Sequence, residues 1–286
     1  MPRVSGLDWA GILQPKKNRN IVWIASYPKS GNTWVRSILY CATHGKVELN
    51  RMGDLIPSFT ACVERVANDR GLTEIGDAAE LWGDTQQWIS SLGGFRVIKT
   101  HNICGQIAGL SHPDPDMTLA AICVVRDPRD VAVSYASHYG RSLDQAVELL
   151  QKEDNFTFQQ DNPFRKSLIG SWRTSFTSWL DAPFPVLAVR YEDLVAAPEQ
   201  EIARILEFLK LKPAVPPVEI ARLTSFGNLS GLEKSEGFGE ASEKAERFFR
   251  KGSTGQWRDH AAQVGGLTKA FRPLMTQLGY LENEDS

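Results

Sequence analysis

Four short apolar runs punctuate the chain: IVWIASY (Ile21–Tyr27), FRVIK (Phe95–Lys99), LAAICVVR (Leu119–Arg126) and PVLAVRY (Pro185–Tyr191). Each is rich in Val, Ile or aromatic residues and none alternates cleanly with polar positions, the pattern of strands covered on both faces. Segments of helical period separate them. The clearest is PEQEIARILEFLKL, where Ile202, Ile205, Leu206 and Leu209 fall at i, i+3, i+4 and i+7 and make one apolar stripe. Strands alternating with helices predict an α/β fold, a central, mostly parallel sheet flanked by helices. No repeat or long linker divides the chain, and Pro-rich spots such as His112–Asp116 and Lys212–Pro217 read as loops, so a single domain over 1–286 is expected. Leu49–Gly94, Arg141–Lys166 and Gly227–Glu246 carry weaker periodicity with many Gly, Ser and charged residues. Around a parallel sheet such segments often form the walls and lids of a site.

Composition narrows the class. Of 286 residues, 42% are hydrophobic and 23% charged, enough to bury a sizeable core, and the formal net charge of −2 argues against a general nucleic-acid binder. A local anion site needs only a few well-placed cations. Cys41, Cys62, Cys104 and Cys123 are far apart with no C-x-x-C pair, which gives no metal motif and no disulfide framework. The first residues lack a secretory apolar stretch, and the most apolar runs are far shorter than the ~20 residues of a membrane span. A soluble, cytoplasmic protein without membrane insertion is expected.

Candidate chemistry gathers at strand ends. In IVWIASYPKSGNTWVRSIL a strand meets a tight turn and then a helix; Pro28 and Gly31 shape the turn, and Lys29, Ser30, Asn32 and Thr33 crowd it with donors. Open N–H groups and the helix dipole favour a phosphate-like anion there. The order is not Walker A, because Lys29 precedes the single Gly; a structural turn with a surface lysine is the plainer alternative. In VVRDPRDVAVSYASHY, Asp127 suits an N-cap and Pro128 the first helical position, so a nearby phosphate needs side chains such as Arg126 and Ser134. Equally, Arg126 could simply pair with Asp127 or Asp130. FFRKGSTGQWRDH offers Arg250, Lys251 and Gly252 as a flexible cationic loop, or a solvated charge pair beside a glycine turn. VIKTH puts Lys99 and His101 at a strand's carboxyl end, where parallel sheets bind ligands and an imidazole can serve as a general base. His44, His112, His138 and His260 have no such address.

Together the four segments resemble the cytosolic-type sulfotransferase family, whose sulfuryl donor is 3'-phosphoadenosine 5'-phosphosulfate (PAPS). YPKSGNTW is similar to its 5'-phosphosulfate loop, RDPRDVAVS to its 3'-phosphate segment, RKGSTGQW to its C-terminal RKGxxGxW loop and KTH to the triplet with its catalytic His. YEDL and TSF match positions that frame the adenine. The likeness runs from about Ile21 to Trp257 in the family's order. It implies a three-layer, P-loop-nucleotide-kinase-like architecture and a small-molecule or natural-product acceptor, with no metal and no nucleic acid. The phrasing WIASYPKSGNTWVRS is most similar to bacterial members.

Carried over by position, Lys29, Ser30, Gly31, Asn32, Thr33 and Trp34 hold the 5' side. Trp34 and Phe226 sandwich the adenine, with Tyr191 and Thr224 on its polar edge. Arg126, Ser134, Arg250, Lys251 and Gly252 hold the 3'-phosphate. The resemblance makes His101 the general base, sets Lys29 against the leaving oxygen and Lys99 on the transferring group, and gives Ser134 the task of holding Lys29 back until an acceptor arrives. The product is 3'-phosphoadenosine 5'-phosphate (PAP). The K-x-x-x-T-V-x-x-x-E stretch of dimerising members is absent after Trp257, leaving the oligomeric state open. Phe59, Trp82, Trp88, Phe156 and Phe158 read as core before acceptor pocket. The competing readings are a P-loop-like small-molecule kinase and a catalytically silent nucleotide-binding protein.

Overall fold

The computed structural model describes residues 18–73, 78–107, 109–159, 162–241 and 247–282. Its strands in chain order are β1 (Ile21–Ser26), β2 (Arg96–Thr100), β3 (Gly105–Ile107), β4 (Leu110–His112), β5 (Thr118–Val125), β6 (Phe156–Gln159), β7 (Asn162–Leu168) and β8 (Val186–Arg190). The order β2-β1-β5-β8, every neighbour parallel, makes the main sheet. The four apolar runs are therefore its four strands, displaced by a residue or two at their ends. β3–β4 and β6–β7 are separate antiparallel hairpins.

The lack of polar alternation in β1 has a direct cause, since Ile21 through Ala25 are all fully buried. Ile21, Trp23 and Ala25 face the helices Pro128–Tyr139, Trp172–Leu180 and Ala261–Gln277. Val22 and Ile24 face Asn32–His44 and Pro198–Leu209. The predicted stripe Ile202, Ile205, Leu206 and Leu209 is buried on that second face. Each such side chain contributes about 1.5–3 kcal/mol by leaving water.

The helix Trp172–Leu180 also braces the sheet's functional edge. Trp172 and Trp179 lie two turns apart and donate their indole N–H groups to Arg126 O and Asn102 O, each at 3.0 Å. A buried indole needs a partner, and here both partners are carbonyls in the loops just past β5 and β2.

The weakly periodic stretches hold real elements. Leu49–Gly94 contains the helices Phe59–Asp69 and Trp82–Ser91, and Arg141–Lys166 contains the helix Leu143–Gln151 and most of the β6–β7 ribbon. Pro163 and the adjacent charges Arg165 and Lys166 in β7 suit a two-stranded ribbon and hid it as a strand. Phe59 and Trp82 are core, and Trp88 packs against it. Phe156 is instead 42% exposed, with the Lys166 ammonium 4.7 Å from its ring centre. The Phe158 side chain lies outside the described residues. No helix among the described residues is long and apolar enough to cross a membrane.

Candidate active site

All four sheet strands end at one edge, and Lys29, His101, Arg126 and Tyr191, the residues just beyond them, line a cavity of about 820 Å³. That volume is toward the upper end of ligand pockets, roughly 300–1,000 Å³. The turn after β1 needs positive φ at Lys29 (71°) and Gly31 (110°). A Cβ on Gly31 would sit 2.8 Å from Tyr191 Cδ2, so only glycine fits. Asn32 Nδ2 donates to Ile24 O at 3.1 Å and Ser26 Oγ at 3.2 Å, tying the turn to its strand. No side chain caps the helix that begins there. Thr33 lines the cavity, and the Trp34 ring meets Tyr191 edge-on at 5.5 Å.

Across the cavity, the Arg126 guanidinium stacks 4.3 Å from the Tyr191 ring centre and donates to Ser253 O at 3.1 Å. Of its acidic neighbours only Asp130 forms an ion pair with it, a long one. Asp127 caps its helix and holds Arg129 at 2.6 Å, while Asp130 stays 3.9 Å from Arg126. Asp130 accepts instead from Gly255 N (2.7 Å) and Trp257 N (3.0 Å), and Glu233 accepts from Phe248 N (2.6 Å) and Phe249 N (2.9 Å). Two carboxylates thus fasten the C-terminal loop over the cavity. Within it, Gly252 (φ 61°) lies flat on Phe226, where a Cβ would come within 2.0 Å of Cδ2. Arg250 and Lys251 border the same space, and Arg250 donates to Gln256 Oε1 at 2.8 Å.

The chemistry-bearing groups stand at the β1–β2 side. His101 Nδ1 is 2.8 Å from Ser26 O. A carbonyl can only accept, so Nδ1 carries the proton and Nε2 keeps its lone pair. Burial first, then the Lys99 charge, pushes the imidazole down to about 3, so it is neutral near pH 7. The Lys29 ammonium rests 4.1 Å from the Phe248 ring centre rather than on Ser134, which lines the same cavity. Burial, then Arg126 and Lys99, push Lys29 down to about 7. Lys99 is paired with Glu240 at 3.1 Å.

Two expected contacts are buried instead of lining the cavity. Thr224 donates its hydroxyl to Ile220 O at 2.8 Å, and Ser30 is fully buried with no partner on its Oγ. Conversely, His138, set aside in the sequence, lines the cavity; burial pushes it down to about 4, with Lys29 and Lys99 adding to the effect. Its spacing of four from Ser134 puts both on one helix face and was the available signal. Arg36, Glu240 and Phe248 also line the cavity without sequence warning. Among the described residues no group of three or more His, Cys, Asp or Glu is placed to hold a metal.

Cations at both ends of one cavity, facing a neutral imidazole, define an anion-handling site. Residues 19–279 match the family model described as a sulfotransferase domain, and the chain belongs to the sulfotransferase family. Cytosolic sulfotransferase 12 of Arabidopsis thaliana is 30% identical, over 85% of this chain and 72% of its own length. Flavonol 3-sulfotransferase of Flaveria bidentis is 25% identical, over 86% and 78%. Among solved structures, a mouse sulfotransferase complexed with PAP superposes with a TM-score of 0.56 at 20% identity, over 90% of this chain and 84% of that one. A retinol dehydratase in a complex with retinol and PAP gives 0.56 at 18%, over 92% and 82%. These likenesses show the fold, a parallel sheet between helical layers with a P-loop-like turn.

Proposed function

We propose that this enzyme moves a sulfuryl group from PAPS to a hydroxyl or amine of a small-molecule acceptor and releases PAP. One observation carries the reading: a neutral His101 with a free Nε2 shares a cavity with Lys29, Lys99 and a cationic loop. The residues fit the nucleotide. The uncapped N-terminus of the helix Asn32–His44 and the Arg126 guanidinium, which lines the cavity, are available to an anion, and Gly31 and Gly252 keep the space clear. Lys29, Ser30, Gly31, Asn32, Thr33 and Trp34 take the 5' side, and Arg126, Ser134, Arg250, Lys251 and Gly252 the 3'-phosphate. Trp34 and Phe226 flank the adenine, with Tyr191 and Thr224 behind them.

PAPS supplies an activated sulfuryl group. His101 Nε2 accepts the acceptor's proton as its oxygen bonds to sulfur; Lys29 meets the negative charge on the departing bridging oxygen, and Lys99 the sulfuryl oxygens. Such transfer is mostly positioning plus electrostatic stabilisation. Glu240, the other basic group beside Lys99, is neutralised by two cations and is a poor base. Retinol and androsterone in related structures support a small organic acceptor. The names of the relatives support a cytosolic setting, and the span of the family match supports one domain over residues 1–286.

The test has two stages. PAP should stabilise the protein against heat without magnesium, by about 2.7 kcal/mol at a hundredfold excess over Kd, and ATP should not; the reverse would favour a kinase. With labelled PAPS and a panel of phenols, sugars and amines, His101→Ala should lower kcat about 10²–10⁴-fold. Near-full turnover at saturating PAPS would remove the base assignment, and no transfer to any acceptor would favour a silent binder.

A further inference from the structure

Arg36 and Glu240, at the end proposed for the acceptor, are given no part in holding the nucleotide. Arg36, on the helix Asn32–His44, has a side chain only 1% exposed. Its Nη1 donates to both Glu240 oxygens, at 2.7 and 2.9 Å, and its Nη2 to Ile56 O at 3.1 Å. The second Glu240 oxygen also accepts from Lys99 Nζ at 3.1 Å. A carboxylate 204 positions away in sequence thus sits between a buried guanidinium and the lysine two residues before His101. Around Lys99 stand Arg36, Glu240, His101, and across the cavity Lys29 and His138. Burial alone would raise the Glu240 carboxyl, but Lys99 and Arg36 hold it down to about 2, so it is ionised throughout the working range.

Arg36 and Lys99 share one counter-charge, the Glu240 carboxylate. Arg165, which also lines the cavity, is matched by Glu64 at 2.8 Å. Lys99 and Lys29 answer the sulfuryl group and its leaving oxygen. A further anion would meet the Glu240 carboxylate with no spare cation in this cluster, and like-charge juxtaposition costs several kcal/mol. We propose that Glu240 is a specificity-determining residue, which fills the anion site of Arg36 and Lys99 and so reserves this end for uncharged acceptors. The term acceptor rests on the sulfotransferase reading above; the filled anion site does not.

Matched phenols test it: 3-(4-hydroxyphenyl)propionamide and 3-(4-hydroxyphenyl)propionate. The wild type should favour the amide by about a hundredfold in kcat/KM. In Glu240→Ala the ratio should fall to within about tenfold of unity, chiefly through a lower KM for the carboxylate. The double variant Arg36→Met/Glu240→Ala should lose that gain. An unchanged ratio in Glu240→Ala would show Glu240 to be only a structural latch and overturn the proposal. Should that variant fail to fold, judged by PAP stabilisation, Glu240→Gln keeps the shape and loses the charge, and an unchanged ratio there counts equally against it. A second arm needs no turnover. Acetate, against chloride at equal ionic strength, should raise the melting temperature of Glu240→Ala and leave the wild type and the double variant unmoved; no rise in Glu240→Ala refutes the filled site. If acetate acts but no acceptor is sulfated, the functional reading fails and the anion site stands.

Discussion

The two ends of the cavity are built differently. At the end proposed for the donor, a continuous strand–turn–helix supplies Lys29 through Trp34, and a second loop lies across it, fastened by backbone N–H groups on Asp130 and Glu233. Glycines at 31 and 252 set the shape. At the end proposed for the acceptor, the parts come from distant segments joined by side chains: Arg36 to Glu240 across 204 positions, and Glu64 to Asn162 and Arg165 across about a hundred. Backbone-built sites change little under substitution, whereas an ion pair disappears with one codon.

Among donor-end substitutions the largest expected break is at Lys29. Removing a charge aimed at a developing oxyanion costs about 10²–10³ in kcat, so Lys29→Met should lose that much at saturating PAPS. PAP affinity should fall far less, since Arg126, Arg250, Lys251 and the helix terminus remain. Equal losses in kcat and in PAP binding would make Lys29 a plain binding residue and erase its distinction from the loop cations.

Gly252 tests the donor end as a backbone construction. Alanine there meets Phe226 at 2.0 Å and must hold φ near 61°. Strain of this kind costs roughly 1–3 kcal/mol, so PAP affinity should fall about tenfold to a hundredfold by titration calorimetry. Gly31→Ala, with its Cβ 2.8 Å from the buried Tyr191, should also lower the melting temperature, because the strain then lies inside the core. Wild-type PAP affinity in Gly252→Ala would show that the loop is free to move aside.

That asymmetry also decided what the sequence could reveal. The sheet strands were legible because burial on both faces leaves uninterrupted apolar runs, and Lys29, His101 and Arg126 because strand ends are where such folds bind. Glycine-bearing loops announce themselves by composition, so the C-terminal loop was legible too. Asp130 was readable only as a first-turn acid; that it accepts from Gly255 and Trp257 is a tertiary fact. Arg36 looked like any polar position on an amphipathic helix, and Glu240 like one more charge in a polar stretch. Neither local period nor composition encodes a pairing across two hundred residues. Thr224, whose hydroxyl is spent on its own helix, shows the opposite failure, a motif position whose side chain is turned away from the cavity.

Asp130 offers a smaller and cleaner test. Asp130→Ala leaves the half-buried Gly255 and Trp257 N–H groups without their acceptor and Arg126 without its distant ion pair. A net loss of about 1–1.5 kcal/mol is expected, close to tenfold in PAP affinity. The acceptor preference should not move, because the strap touches only the donor end. A change in amide-to-carboxylate preference would mean that the two ends are coupled.

The smallest effect reads the donor end by its protons. Lys29 has a pKa near 7 in the free protein, lowered by burial and by Arg126 and Lys99. A dianionic phosphate favours the ammonium form, so the bound state holds a proton that the free state sheds above pH 7. Binding must then take up a proton, and affinity must fall as pH rises through that window; the opposite sign would require Lys29 to bind as the neutral amine. From pH 7 to pH 8 the Kd for PAP should rise about fivefold, and calorimetry in buffers of different ionisation enthalpy should show net proton uptake. In Lys29→Met both should vanish. His101, neutral above about pH 3, and His138, neutral above about pH 4, contribute nothing across this window, so a surviving slope in the variant would have to come from a group outside the turn after β1.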